Sequence, residues 1–289
     1  MARKLDSDLD GGLYIVATPI GNMGDITLRA IEILGKVDAI ACEDTREAGK
    51  LTSYHGLDTQ KIPYHDHNAD EMRPKLIRML KEGQRIALIS DAGMPLISDP
   101  GYKLVDAVVA EGIYVTCVPG ATATLTALVL SALPSDKFMF AGFLPPKSAA
   151  RKSALTDVKA VPCTLIFYET APRLAESLRD MAEMFGNRRA AVARELTKKF
   201  EEIRRDTLTA LADHYDAEGA PKGEIVVVVD GPGAGDGDIW TVEATDALLL
   251  KMMDDEGMGV KDAAGFVAAK SGQRKSDLYQ RALLLKGKK

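Results

Sequence analysis

The first half of the chain alternates short apolar runs with stretches that carry apolar residues at helical spacing. The predicted strands cover residues 13–18, 39–42, 61–65, 85–90 and 114–118. The first predicted helix begins at Asp25 and contains ITLRAIEILGKV at 26–37. Further predicted helices cover residues 69–82, 101–111 and 121–133. Strands that alternate with helices require crossover connections. This half is therefore expected to form an α/β domain whose sheet is mostly parallel and has helices on both faces.

The pattern changes near Pro134, where longer strands predict a second α/β domain with a mixed sheet. Its predicted strands cover residues 138–144, 163–168, 189–194 and 224–230, and its predicted helices cover residues 171–185 and 207–218. A turn-rich run at 231–237 then precedes three predicted helices at 242–256, 261–271 and 276–286. The predicted organisation is a first domain over 12–134, a second over 135–231, and a helical, helix-turn-helix-like domain over 238–289.

Composition and charge exclude several classes of protein. The 289 residues have a net charge of −5, which argues against a protein that coats nucleic acid without specificity. A local basic face is compatible with that total, because residues 147–205 hold 13 Lys and Arg against 8 Asp and Glu. The three cysteines form no C-x-x-C pair, and Cys42 and Cys117 fall in predicted buried strands. These cysteines argue against a disulfide framework and favour a cytoplasmic location. No apolar run reaches the ~18 residues of a membrane span, so we expect none.

Four predicted strands of the first domain end in residues that suit ligand binding. These ends read TPIGN at 18–22, EDTR at 43–46, SDAGMP at 90–95 with SDPG at 98–101, and VPGAT at 118–122. The carboxyl ends of parallel strands share one edge of a sheet, and ligands bind at that edge. The sequence therefore predicts a binding cleft there. No G-x-G-x-x-G follows the first strand, and the P-loop and G-x-S-x-G patterns are absent, which argues against dinucleotide, P-loop and hydrolase sites.

Two histidines, His65 and His67, flank Asp66. Alternate residues of a strand point to one face, so a metal pair is one interpretation. No third ligand follows at a suitable spacing, and histidines that face solvent or RNA are the favoured interpretation. We therefore expect no metal.

Four segments taken together resemble the tetrapyrrole methylase superfamily of S-adenosylmethionine enzymes: TPIGN, CEDTR at 42–46, SDAGMPLISDPG at 90–101 and VPGATA at 118–123. Within it they are most similar to enzymes that methylate the ribose 2′-hydroxyl of a cytidine in the decoding region of 16S rRNA. FAGFLPPK at 140–147, YETAPR at 168–173, RELTKKFEE at 194–202 and GEIVVVV at 223–229 extend the resemblance over about residues 12–231. It implies two α/β domains of the tetrapyrrole methylase (class III S-adenosylmethionine methyltransferase) type, followed by a small C-terminal helical region.

The resemblance also implies a site for S-adenosylmethionine between the two domains. The residues expected to bind it are Pro19, Asp91, Ala92, Gly93, Met94, Pro95, Ala121, Thr122, Tyr168 and Gly223. Gly93 permits close approach of the backbone, and Pro95 fixes the turn before the next helix. Asp91 as the cap of that helix is the alternative, structural interpretation.

Methylation of a ribose hydroxyl requires a group that accepts or orients its proton, because the hydroxyl is a weak acid. The candidate carboxylates are Asp44, Glu43, Glu169 and Glu195, and the candidate lysines with a lowered pKa are Lys147 and Lys198. Each carboxylate has an ion pair as its alternative, with Arg46 for Glu43 or Asp44 and with Arg173 for Glu169. The sequence does not choose among them.

Several cations are candidates for phosphate contact: Arg46, Lys147, Arg151, Arg173 and Lys198. The expected partner is 16S rRNA within the 30S ribosomal subunit, and the resemblance implies a homodimer. Two alternatives stay open, a small-molecule methylase that acts on a tetrapyrrole and a ribosome-assembly factor without activity. An aromatic content of 6% argues against a broad tetrapyrrole trough, and the intact loop at 91–95 argues against an inactive protein.

Overall fold

The first sheet confirms the predicted parallel arrangement. The computed structural model describes residues 9–98, 101–232, 242–271 and 274–286. Five strands form this sheet: β1 (Gly12–Val16), β2 (Ala39–Cys42), β3 (Gln60–Pro63), β4 (Arg85–Leu88) and β5 (Val115–Val118). Their order is β3-β2-β4-β1-β5, and every pair with a defined register is parallel. The central position of β1 and β4 brings their carboxyl ends side by side.

Helices cover both faces of this sheet. They are α1 (Leu28–Lys36), α2 (Thr45–Tyr54), α3 (Ala69–Lys81), α4 (Tyr102–Ala110) and α5 (Ala123–Ser131). Along β2 the side chains alternate, so that Ile40 packs with α1 and α2 whereas Ala41 packs with α3 and α4. The sequence analysis missed α2, a polar helix whose N-cap Asp44 accepts a hydrogen bond from the backbone N–H of Arg46.

Another difference from prediction lies at the edge of the sheet. Cys117 is exposed, not buried, because β5 is an edge strand that neighbouring elements cover only in part.

A second sheet follows in the chain. Its strands are β6 (Phe138–Phe143), β7 (Thr164–Glu169), β8 (Arg189–Arg194), β9 (Glu202–Thr207) and β10 (Ile225–Val229), in the order β6-β7-β10-β8-β9. Its helices are α6 (Ser148–Val158), α7 (Leu174–Phe185) and α8 (Leu208–Glu218). Strands β6 and β7 are parallel, whereas residues 195–201 are too short a crossover for parallel pairing of the neighbours β8 and β9. The sheet is therefore mixed, as predicted, although β9 and α6 had not been foreseen.

Three helices end the chain: α9 (Val242–Asp254), α10 (Val260–Ser271) and α11 (Lys275–Lys286). They share a small core of Leu249, Ala264, Val267, Leu278 and Ala282. Most of the predicted linker at 231–237 lies outside the described residues. Among the helices that are described, none is long and apolar enough to cross a membrane.

The chain divides into two compact units. The first comprises the described residues of Met1–Leu130 with Ala193–Ile203 and Glu224–Val226. The second comprises those of Ser131–Val192, Arg204–Gly223 and Val227–Lys289. The division into domains at 134 and 231 stays a prediction, and each unit is described by itself below.

Candidate functional site

The ends of β1, β4 and β5 meet closely in the first unit. Thr18 and Gly93 form an antiparallel bridge with N···O distances of 2.9 and 3.1 Å. Gly93 has φ +79°, and a Cβ built there would lie 3.2 Å from Cγ2 of Ile20. A Cβ on Gly120 would lie 2.9 Å from Cβ of Ala17. Glycine is required at both positions, because a side chain would force these strand ends apart.

This edge of the sheet lines a cavity of about 210 Å³ within the first unit, which is open to solvent on one side. Its apolar wall includes Ile20, Met23, Leu51 and Ile89. Its polar wall includes Asp91, Glu47, Lys198 and Glu224. Apolar walls with a few placed polar groups are typical of small-molecule sites. The structure therefore has a cavity at the sheet edge where the sequence predicts a cleft.

Three of the expected cofactor residues of the first unit line this cavity, and the others belong to the same loops. Pro19, Asp91 and Ala92 line it directly. Met94 packs behind the loop, with its Sδ 3.8 Å from Sγ of Cys117, and Pro95 is buried. The carbonyl of Ala121 lies 3.7 Å from where a Cβ of Gly93 would be.

The backbone of the loops after β4 and β5 has two further features. The carbonyl of Thr122 accepts hydrogen bonds from the backbone and side chain of Thr126 in α5. Leu96 and Ser98 have φ values of +72° and +64°, which non-glycine residues rarely adopt. Ser98 lines a second cavity, which is described below. Asp99 and Pro100, part of the motif at 90–101, lie outside the described residues.

Lys198 covers one side of the cavity. A Cβ on Gly21, which has φ +155°, would lie only 2.5 Å from Cγ of Lys198. The Lys198 ammonium contacts Glu195 at 2.9 Å and Glu224 at 3.2 Å. Burial lowers its pKa, but the hydrogen bond to Glu195 and the charge of Glu224 outweigh that and raise the pKa above its ordinary value. Lys198 is therefore not the lysine of lowered pKa that the sequence suggested.

The segment that carries Lys198 is strained and tied to the first strand end. Glu195 and Thr197 have φ values of +50° and +66°. The backbone N–H of Asn22 donates to Oγ1 of Thr197 at 3.1 Å. The hydrogen bond from Lys198 is the main reason that the pKa of Glu195 is lowered, so this carboxylate is a weak proton acceptor.

Asp44 and Asp91 have opposite electrostatic environments. Asp44 forms an ion pair with Arg46 at 2.6 Å, and the hydrogen bonds from Arg46 lower the pKa of Asp44 to about 2. Asp91 accepts a hydrogen bond from the backbone N–H of Asp44 at 3.1 Å, while burial and the charges of Asp44 and Glu47 raise the pKa of Asp91. The ion-pair alternative therefore applies to Asp44.

Glu43 differs from the other candidate carboxylates of this edge. Burial, followed by the charges of Asp91 and Asp66, raises its pKa. It lines a second cavity of about 690 Å³ together with Tyr64, Asp66 and other residues. His65 and His67 lie nearby in sequence with ring centres 6.0 Å apart, and no cluster of three metal-ligating side chains occurs among the described residues.

The candidates in the second unit have structural partners. The Glu169 carboxylate is fully buried and contacts Arg173 at 3.0 Å and the Ser177 hydroxyl at 2.5 Å. Arg151 is also fully buried and pairs with Asp180 at 2.6 Å. This corrects the expectation of a phosphate contact by Arg151, because solvent does not reach its side chain.

Three further predicted residues of the second unit have distinct surroundings. Tyr168 packs edge-on against Phe140 and Phe143, with ring centres 4.8 and 5.4 Å away. Gly223 has φ +100° and directly precedes Glu224. Lys147 is exposed and precedes the first residue of α6.

Sequence reasoning missed one acidic residue of the cavity, Glu47, whereas Glu224 falls in the segment 223–226 that it proposed for the cofactor site. Glu47 stands three residues after the N-cap Asp44, and this spacing is a recognised signal for the start of a helix. That signal would have predicted α2 and placed Glu47 at the sheet edge. The pairing of Glu224 with Lys198 has no comparable signal, because only the fold brings these two residues together.

Comparison with known proteins gives consistent matches. Residues 12–212 match the model described as Tetrapyrrole (Corrin/Porphyrin) Methylases, and residues 241–286 match the RsmI C-terminal HTH domain. The ribosomal RNA small subunit methyltransferase I of Mesorhizobium japonicum is 52% identical, with 96% of this chain and 93% of that protein covered. The protein of the same name from Erythrobacter litoralis is 50% identical, with 96% of each covered.

The fold is also found in solved structures. Uroporphyrin-III C-methyltransferase from Thermus thermophilus, solved with S-adenosyl homocysteine, matches with a TM-score of 0.54 and 17% identity. The match covers 75% of this chain and 97% of that one. Identity this low supports the fold alone.

Proposed function

The chain belongs to the tetrapyrrole methylase family and, within it, to the ribosomal RNA small subunit methyltransferase I group; from that premise we propose its reaction. It transfers a methyl group from S-adenosylmethionine to the ribose 2′-hydroxyl of a cytidine in 16S rRNA, within the 30S subunit. The observation that carries this proposal is the cavity at the carboxyl edge of the first sheet, which the family motifs TPIGN and SDAGMP line together.

The residues around the cavity fit part of the methyl donor. Ile20, Met23 and Leu51 offer an apolar surface, and Asp91 and Glu47 place negative charge beside it. Clustered carboxylates favour a cationic ligand. The volume of about 210 Å³ is below the ~300–1,000 Å³ of whole drug-sized sites, so the cavity accommodates only a portion of the donor. Tyr168 and Gly223 stay proposed contacts for the remainder.

S-adenosylmethionine supplies, when bound, a methyl group on a positively charged sulfur. The chain contributes alignment and exclusion of water. The close packing of Gly93 on Ile20 and the strained backbone at Leu96 fix the loop against the first strand. Lys198, held by Glu195 and Glu224, covers the side of the cavity next to Gly21.

Glu43 is the proposed proton acceptor. Its raised pKa suits a base better than the lowered pKa of Asp44, and Glu169 is enclosed with Arg173 and Ser177. Among the described residues Glu43 forms no ion pair. Its position beside the second cavity gives a ribose room to approach.

RNA contact is proposed for the exposed cations. Arg46 has an 85% exposed side chain, and Lys147 is exposed on the second unit. Both can reach a phosphate, whereas Arg173 is 23% exposed and held by Glu169. The proposed reaction uses no bound metal.

We also propose a cytoplasmic location, because the proposed substrate is a ribosomal subunit.

A homodimer is also proposed. On α5, Leu125 is 46% exposed and Val129 is 77% exposed, and the adjacent strand β5 is an open sheet edge. Apolar side chains beside an unpaired edge favour a protein partner. Light scattering of the purified protein tests it, and a mass near 31.1 kDa would reject it.

The reaction is tested with labelled S-adenosylmethionine and 30S particles from cells that lack this modification. We expect label on one ribose-methylated cytidine, located by nucleoside mass analysis, and much less label on naked 16S rRNA. Label on a base, or on a tetrapyrrole offered in parallel and not on RNA, would overturn the proposal.

A further inference from the structure

Two arginines in the second unit hold the backbone of one short segment. This segment, residues 144–147 between β6 and α6, is called the strap. Nη2 of Arg173 donates to the carbonyl of Leu144 at 2.8 Å. Nη1 of Arg151 donates to the carbonyl of Pro146 at 3.2 Å. Guanidinium groups therefore hold the strap at its first residue, Leu144, and at its third, Pro146.

Each arginine is in turn fixed by a buried carboxylate. Nε of Arg151 donates to Asp180 at 2.7 Å, and Asp180 also accepts from the Ser148 hydroxyl at 3.1 Å. Glu169 accepts from Arg173, from the Ser177 hydroxyl and from the backbone N–H of Thr170. A planar guanidinium can bind a carboxylate and a carbonyl at once, which a lysine ammonium does less well.

The strap needs such support because of its sequence. Pro145 and Pro146 carry no backbone N–H, so neither can donate to a sheet or a helix. The carbonyl contacts from Arg173 and Arg151 replace that missing support. The strap ends at Lys147, whose side chain is exposed.

We propose that Arg151 and Arg173 are positioning residues for RNA, which they do not touch themselves. They hold the strap so that Lys147 stands at a fixed place to contact a phosphate. This inference rests on the proposed function, since the phosphate belongs to the ribosomal substrate. It explains why two predicted phosphate contacts are buried or half-buried, while the lysine beside them is exposed.

The test measures binding to unmethylated 30S particles at several salt concentrations. Lys147→Ala should weaken binding about tenfold and reduce the salt slope by about one, because one phosphate contact is lost. Arg173→Lys keeps the charge beside Glu169 but loses the fork that reaches Leu144. It should weaken binding to a similar extent, and the double variant should bind no more weakly than Lys147→Ala alone.

Arg179→Lys is the matched control. Arg179 also lies on the α7 side of this unit, but it pairs with Asp213 and Asp216 and not with the strap. It should leave 30S binding unchanged. Arg151→Lys provides a second test if thermal melting shows that Arg173→Lys does not fold.

The inference would be overturned if the losses of 30S affinity in Lys147→Ala and in Arg173→Lys multiplied in the variant that carries both changes. It would also be overturned if Arg173→Lys left the salt slope of binding unchanged. Affinity for S-adenosylmethionine should be unchanged in every variant. If the wild-type protein bound 30S particles but transferred no methyl group, the proposed reaction would be overturned. The binding measurements would still test the role of the strap.

Discussion

The cavity edge of the first unit and the strap support of the second unit use the same kinds of residue for different purposes. Asp91 is only partly buried and precedes a loop with a strained backbone, and its partial burial and the neighbouring negative charges raise its pKa. Asp180 has an 8% exposed side chain and lies against Arg151. A buried carboxylate neutralises its cation, and its removal leaves an uncompensated buried charge, whereas a carboxylate crowded by other acids at a strand end favours a cationic ligand.

The largest effect is expected from Asp180→Ala. The change leaves the Arg151 charge buried without its main partner, which should lower the free energy of unfolding by about 3–5 kcal/mol. Urea unfolding measures it. Asp213→Ala, which removes a 63% exposed partner of Arg179, should cost less than about 1 kcal/mol. Equal losses would erase the distinction between the two regions.

Asp91→Ala tests the cavity side. Loss of a charged group at the ligand should weaken binding of S-adenosylmethionine roughly 10- to 100-fold, measured by calorimetry. The fold should persist, because Asp91 is exposed. Asp58→Ala, at an exposed position outside the cavity, is the control and should bind normally. Normal affinity in Asp91→Ala would remove this loop from the site.

Gly21→Ala tests how closely the Lys198 side chain packs against the end of the first strand. The added methyl group would meet Cγ of Lys198 at 2.5 Å in a strained backbone, so we expect a loss of about 1–3 kcal/mol in unfolding free energy. Gly49→Ala is the matched control. No atom lies within 4 Å of its new Cβ, and a helix interior favours alanine by about 0.5–1 kcal/mol. Stabilisation by both changes would contradict close packing at Gly21.

The smallest effect concerns pH. The pKa of Asp91 is raised in the folded state, so its ionisation disfavours folding, and this cost fades as the pH falls through the folded pKa. Asp91→Asn should therefore raise Tm at pH 7 by no more than about 2 °C. Asp44, whose pKa is lowered to about 2, stabilises above its ordinary pKa and loses that contribution between about pH 4 and 2. Asp44→Asn should therefore lower Tm at pH 7. A lower Tm for Asp91→Asn together with a higher Tm for Asp44→Asn would contradict the electrostatic environments described for the two residues.

Local sequence was sufficient for much of the architecture. Apolar periodicity and turn residues predicted the five strands of the first sheet, because these signals depend on neighbours within a few residues. The sequence also offered ion pairs between residues two or four positions apart, Asp44 with Arg46 and Glu169 with Arg173. The structure contains both pairs. Helix α2 was missed because a short polar helix has a weak apolar pattern.

Roles that depend on distant residues were decided only by the tertiary structure. Asp180 lies 29 residues from Arg151, and Glu224 lies 26 residues from Lys198, so no local pattern shows that these charges are paired. The sequence alone determined which strand ends carry reactive residue types and in what order. Packing decided which of those residues are buried with a partner and which line a cavity, because desolvation and charge depend on distances in space and not along the chain.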